Sequence, residues 1–540
     1  MGFLHTLLNG HFSELTSFFS VYYLAAFLPA ALVTYSLTPA KGKKYILLLG
    51  SLGFFFLISG RLLVFLLLSI VSAWGFGLWM AGIHRKRAAA VKAAEKPERK
   101  AIKQAYQTKC RWVLALAALV HIGSLLVLKY SGFFMENVNI LLGAQFPVPR
   151  FALPIGISFY TLQAFSYLFD VYSGVQEADR NIFRVGLFLS FFPQIVEGPI
   201  CRYGQTANQL WEVKAITYDN LTLGLQRILY GMMKKLVVAD RLNAFVEAVF
   251  SDYAQQQGGI IALAAVCYTV QLYMDFSGAM DAVCGTAQIF GITMPENFRR
   301  PFFSKTISEF WSRWHISLGS WFKDYIFYPV TMSKPMKNLT SAARKRIGNY
   351  YGPLVAGSIA LLCVWFSNGL WHGAAWSYIF FGMYHFALIL SGNLMPPGAK
   401  WLHQRLKIQP DSKPYQLFQI LKIDRCPGYA GKLCKLQLKL SAKIHDCRKK
   451  ILSEIIFAVL QNRLQCTDIS VAQIVLHIDT LAGCDPHKSP GCQPADAAVD
   501  HRKAHLHGSC QLPLRGKFFS HFQFSGKDHS LDLLNKKIGQ

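Results

Sequence analysis

Charged side chains are scarce in this chain and acidic ones scarcer: 16% of its 540 residues are charged, 29 acidic against 56 basic. Set beside 52% hydrophobic and 14% aromatic residues, that scarcity excludes a string of ordinary soluble domains and predicts a polytopic membrane protein. No two of the twelve cysteines are spaced C-x-x-C, which removes zinc-ribbon and thioredoxin-like motifs, and no metal site is expected. Also missing are a G-x-S-x-G elbow, a GxxxxGK(S/T) loop and an HExxH pair, so serine hydrolase, P-loop ATPase and zincin chemistry lack their central groups. The first apolar run has neither a basic region before it nor a cleavage site after it, so no removable signal peptide is expected.

The formal charge of +27 invites a nucleic-acid reading, but no base-stacking module accompanies it and no nucleic-acid partner is expected. The charge is read instead as lying in loops between apolar runs and in the C-terminal tail. Its densest cluster, HRKRAAAVKAAEKPERKAIK from His84 to Lys103, sets eight Lys or Arg against two Glu between two long apolar segments. Spans at Val21 to Leu37, Tyr45 to Ser59 and Leu62 to Ile83 would put this cluster and Lys41, Lys43 and Lys44 on one side. By the positive-inside rule that side is the cytoplasm, which leaves the N-terminus outside.

Trp112 to Tyr130 returns outward, and its His121 is read as a packed residue. Pro154 and Gly156 inside the apolar run Leu153 to Phe169 predict a broken helix beside a watery cavity. In FFPQIVEGPI, Gln194 and Glu197 stand among apolar neighbours, and Glu197 either faces that cavity or marks the membrane exit. The charges of KKLVVADRL, Lys234 to Leu242, favour an interfacial helix. Asp275 and Asp281, six residues apart, fall on different helical faces and read as caps around a break at Gly278.

From Asn297 to Tyr328 the chain reads NFRRPFFSKTISEFWSRWHISLGSWFKDYIFY. On a helix, Ile307, Phe310, Trp311, Trp314, Leu318, Trp321, Phe322 and Tyr325 form one apolar stripe, with His315 at its edge. Tryptophan beside basic residues suits a helix in the plane of the membrane interface. A second histidine, His372, lies between Trp371 and Gly373, with Gly369 close enough in sequence to let another backbone approach. Imidazole is costly in hydrocarbon without a partner and is a natural proton acceptor from an alcohol. Taken alone, either ring packs structurally or does chemistry, and the pair could equally form a proton relay.

Near Pro396 to Gly398 the character changes. From Leu421 there is no tryptophan, and seven of the twelve cysteines and eight of the sixteen histidines appear. Residues 421–540 read as a soluble domain, an interaction tail or peptide from a shifted reading frame.

EFWSRWHISLGSWFKDYIFYP and GLWHGAAW, with SFYTLQ, FFPQIVEGPI, KKLVVADRL, MDFSGAMD and PENFRRPF, resemble the membrane-bound O-acyltransferase (MBOAT) family. The similarity is greatest to its bacterial branch of alginate O-acetyltransferases and teichoic-acid D-alanyltransferases, and runs to about residue 420. The resemblance implies an all-α multi-pass protein of the cell membrane, a ring of tilted helices around a central funnel or tunnel with interfacial amphipathic helices. It implies transfer of acetyl or D-alanyl from a thioester donor, acetyl-CoA or an acyl-phosphopantetheine carrier, to a hydroxyl of an extracytoplasmic polysaccharide or teichoic acid. No bound cofactor is expected. Partners would be membrane lipids, an acyl carrier or extracytoplasmic relay protein, and the acceptor polymer. His372 matches the family's essential histidine and His315 its more variable second one, with Trp371, Trp314, Asp275, Ser277 and Gln194 as candidate substrate-binding residues. A lipid or glycan transporter without covalent chemistry is the rival reading.

Overall fold

A computed structural model describes residues 12–212 and 214–395, together with 405, 412, 416 and 419. The boundary near Pro396 and the tail from residue 421 lie outside the described residues.

Helices dominate. After a π-helical turn, Tyr22–Phe27, come α1 (Leu28–Leu37), α2 (Lys43–Ser59) and α3 (Leu63–Ala93). The last two are separated by a turn at Gly60, where φ is +53°. α4 (Arg99–Leu142) follows, and the basic cluster is therefore carried on the ends of α3 and α4 rather than in a loop. At 1.5 Å per residue these helices are about 46 and 66 Å long, longer than the roughly 30 Å hydrocarbon layer, so their charged turns project into water.

α5 (Ile157–Ser173) begins after Gly156, so Pro154 and Gly156 precede the helix instead of breaking it. α6 (Ile182–Ser190) leads into a buried segment, 191–200, that holds Gln194 and Glu197. Next are α7 (Tyr203–Trp211), α8 (Tyr218–Met232), α9 (Asp240–Ser251) and α10 (Gly258–Ile289). A π-helical turn, Met233–Ala239, joins α8 to α9.

α10 runs unbroken through Gly278, so Asp275 and Asp281 are mid-helix residues and not caps. They take the charges of the preceding turn: Lys235 lies 2.9 Å from Asp275 and Lys234 2.6 Å from Asp281, which also receives Arg227 at 3.1 Å. The lysines expected on an interfacial helix thus neutralise carboxylates on a neighbouring one, the condition on which charges persist at depth. Gly231 and Gly278 permit the approach, since a Cβ on Gly231 would come within 2.5 Å of the Gly278 carbonyl oxygen.

The tryptophan-rich stretch is two short helices, α11 (Ile307–Arg313) and α12 (Ile316–Phe322), followed by a π-helical turn at Lys323–Phe327. Trp314, Leu318, Trp321, Phe322 and Tyr325 are buried in protein, which corrects the single helix expected at the interface. Two long helices close the described part, α13 (Lys334–His372), bent at Gly348, and α14 (Trp376–Leu394).

Among the described residues, four helical stretches are long and apolar enough to cross a membrane: Lys43–Ala93, Arg99–Leu142, Gly258–Ile289 and Lys334–His372. Leu68, Leu119, Val127 and Leu263 stand exposed along them, as a lipid-facing surface requires. The chain is an all-α, multi-pass membrane protein, with one isolated antiparallel bridge, Phe298 to Trp314, as the extended pairing among the described residues.

Candidate active site

His315 occupies the break between α11 and α12 in the left-handed conformation, φ 48° and ψ 52°, which costs a non-glycine residue about 1–2 kcal/mol. Asn297, distant in sequence, holds it there. The Asn297 carbonyl accepts from Ile316 N–H at 3.0 Å and its side-chain oxygen from Ser317 N–H at 3.0 Å, filling the cap that His315 leaves empty. Arg299 N–H donates to the Arg313 carbonyl at 3.0 Å, and Ser317 Oγ accepts from Ile200 N–H at 2.9 Å. The buried imidazole thus sits on a frame drawn from three segments, its Nδ1 without a protein partner.

The backbone strain gives a separable test. His315→Gly releases the left-handed turn while His315→Ala keeps it, so the glycine variant is expected to be more stable by about 1 kcal/mol in thermal unfolding. Equal stability of the two would mean that the frame does not impose the turn.

His372 is the last residue of α13 and is half-buried. α13 and α14 meet through glycine, as the sequence suggested. A Cβ on Gly369 would lie 2.5 Å from the Tyr378 carbonyl oxygen, and one on Gly382 2.3 Å from that of Trp365. A Cβ on Gly373 would enter the Tyr378 ring at 2.1 Å. That close packing lays Tyr378 and Phe381 against the imidazole, with ring centroids 6.5 and 5.9 Å away.

Trp371 links the two histidines. Its indole centroid is 6.0 Å from that of His315 and 5.0 Å from that of His372, and its Nε1–H is buried without a protein partner. Phe276 meets the His315 ring edge-on at 4.8 Å, and the hydroxyl of the next residue, Ser277, is buried and unpartnered. Asn368, one helical turn before His372, adds an unpartnered Oδ1. Aromatic side chains with a few polar groups among them are the usual lining of a small-molecule site.

Three other candidates have contacts of their own. The Asp275 carboxylate is paired with Lys235. The Gln194 amide donates to the Phe188 carbonyl at 2.8 Å, while its Oε1 is buried without a protein partner. Trp314 stacks on Phe310 and packs against Phe298, anchoring the break. Sequence reasoning passed over Asn368 and also His385, whose ring lies against Trp311, Trp365 and Phe381 at 4.8, 5.3 and 4.6 Å with an unpartnered Nδ1. A histidine within an apolar run is the same signal that marked His372, and it would have found His385.

The family model described as the membrane-bound O-acyltransferase family matches residues 178–344, which takes in His315 and ends before His372. The probable alginate O-acetylase AlgI of Azotobacter vinelandii is 31% identical over 374 residues, 68% of this chain and 67% of the relative. A peptidoglycan O-acetyltransferase of Helicobacter pylori is 30% identical over 395 residues, covering 67% of this chain and 68% of the relative. A teichoic acid D-alanyltransferase of Bacillus subtilis is 30% identical over 269 residues, 48% and 62% of the two chains. The relatives are named as an acetylase, an acetyltransferase and a D-alanyltransferase, and those names favour covalent acyl transfer over transport.

Proposed function

From the premise that the chain belongs to the membrane-bound O-acyltransferase family and is an O-acyltransferase using an acyl donor as co-substrate, we propose that it esterifies a cell-envelope polymer. The acyl group is acetyl or D-alanyl, its carrier a thioester of coenzyme A or of a phosphopantetheine carrier protein. The acceptor is a hydroxyl of an extracytoplasmic polysaccharide or teichoic acid. The acyltransferase unit occupies residues 1–420 and lies in the plasma membrane with its N-terminus outside, so that the basic ends of α3 and α4 face the cytoplasm and the incoming donor.

The observation that carries this reading is the single indole in contact with both imidazoles. His372 accepts the proton of the acceptor hydroxyl as its oxygen attacks the thioester carbonyl carbon. The tetrahedral intermediate collapses with cleavage of the carbon–sulfur bond. The departing sulfur takes the proton back from the imidazolium, leaving an ester and a free thiol. The unpartnered Trp371 Nε1–H and His315 are groups able to steady the oxyanion or orient the acceptor, a role most effective in a dry, preorganised site. Because the thioester is already activated, no nucleotide site is required.

Mass analysis of envelope polymers from cells with and without this gene tests the proposal. Loss of a base-labile acyl ester from one polymer on deletion is expected. Identical ester content in the two strains would end it.

A further inference from the structure

α13 ends at His372, and a helix that stops leaves its last carbonyls without intrahelical donors. Two consecutive residues of α4 supply the donors here. The Tyr130 hydroxyl donates to the Leu370 carbonyl, and the Lys129 ammonium to the Trp371 carbonyl at 2.5 Å. The same ammonium reaches Ser158 Oγ of α5 at 3.5 Å. Lys129 thus joins three helices at the peptide unit immediately before His372.

The choice of lysine calls for a reason. Lys129 is partly buried within an apolar helix, and no carboxylate lies within ion-pair distance of it among the described residues. A neutral hydroxyl suffices for the preceding carbonyl, so hydrogen bonding alone does not demand a cation. An ammonium at the negative end of the α13 dipole restrains that end more firmly than a neutral donor. Lone charges inside membrane segments are expensive enough to signal function.

We propose that Lys129 is a positioning residue for the acyl-transfer reaction: its ammonium fixes the Trp371 carbonyl, and through it the direction in which His372 and the Trp371 indole present themselves. This rests on the assignment of His372 as the base. Lys129 touches no reacting atom; it acts through the geometry of the residue it holds.

The test uses the full chain expressed in a strain deleted for its gene. Base-labile acyl ester on the envelope polymers is measured beside the amount and melting temperature of the purified protein. Diethyl pyrocarbonate labelling, mapped by mass spectrometry, reports the reactivity of individual histidines. Lys129→Met is expected to lower ester at least tenfold at unchanged abundance and melting temperature. It should change the labelling rate of His372 at least threefold while leaving that of His84, at the far end of α3, as it was. Lys129→Arg, which keeps a cationic donor, should recover half or more of the ester, and Ser158→Ala should lose two- to threefold.

Wild-type ester in Lys129→Met overturns the proposal. So does a loss that Lys129→Arg fails to rescue, or one that alters His84 labelling as much as His372 labelling, since that describes a general packing defect. Were wild type and His372→Ala to give equal ester, the fault would lie with the assignment of the reaction itself.

Discussion

Replacing His372 by alanine is expected to lower ester formation by about 10³-fold, the midrange of what a positioned general base contributes. His372→Gln should be as inactive, because an amide fills much of the imidazole's volume and still makes hydrogen bonds but cannot accept the hydroxyl proton at neutral pH. Neither change should unfold the protein. The side chain is half-buried at a helix end, and the close approach of α13 and α14 is made by Gly369, Gly373 and Gly382, which both variants retain. The measurement is ester content per folded molecule in membranes, read beside the melting temperature. If His372 only packs against Trp371, Tyr378 and Phe381, the glutamine variant keeps substantial activity, and that result would remove the base from the mechanism.

The spanning helices were legible in the sequence because bilayer thickness sets a length that apolar runs either meet or do not. Tyr45 to Ser59 and Leu62 to Ile83 return within α2 and α3, although α3 runs on through the basic cluster to Ala93. His372 stood out as a histidine between aromatic and glycine neighbours in an apolar run, and the structure sets its ring beside those of Trp371, Tyr378 and Phe381. The break at His315 was not legible. Apolar spacing of three and four continues through Trp311, Trp314 and Leu318, so periodicity alone predicts one helix. What stops it is a pair of hydrogen bonds from the Ile316 and Ser317 N–H groups to Asn297, and local pattern carries no trace of so remote a partner. For the same reason Lys234 and Lys235 looked like charges seeking water until the fold brought Asp281 and Asp275 beside them, 47 and 40 residues along the chain. Sequence reveals the presence of a buried charge but not its partner.

Gly156→Ala is expected to have the largest effect on stability among single-atom additions outside the site. Gly156 has φ +75°, and a Cβ there would lie 1.9 Å from the Ile195 carbonyl oxygen, a backbone atom that cannot rotate away. Two costs therefore add: the left-handed conformation, about 1 kcal/mol for alanine relative to glycine, and an overlap relieved only by backbone movement, about 1–3 kcal/mol. Gly174 separates them, since it has φ +82° at the end of α5 with nothing within 4 Å of its Cβ position. Gly174→Ala should cost about 1 kcal/mol and Gly156→Ala about 3 kcal/mol in reversible unfolding, and equal losses would show that the contact with Ile195 is not tight. The displaced carbonyl also has somewhere to send its movement. Ile195 lies in the buried run 191–200, and at its end the Ile200 N–H rests on Ser317 Oγ, two residues beyond the strained His315. Gly156→Ala should therefore lower ester formation per folded molecule as well, whereas Gly174→Ala, facing open space, should not.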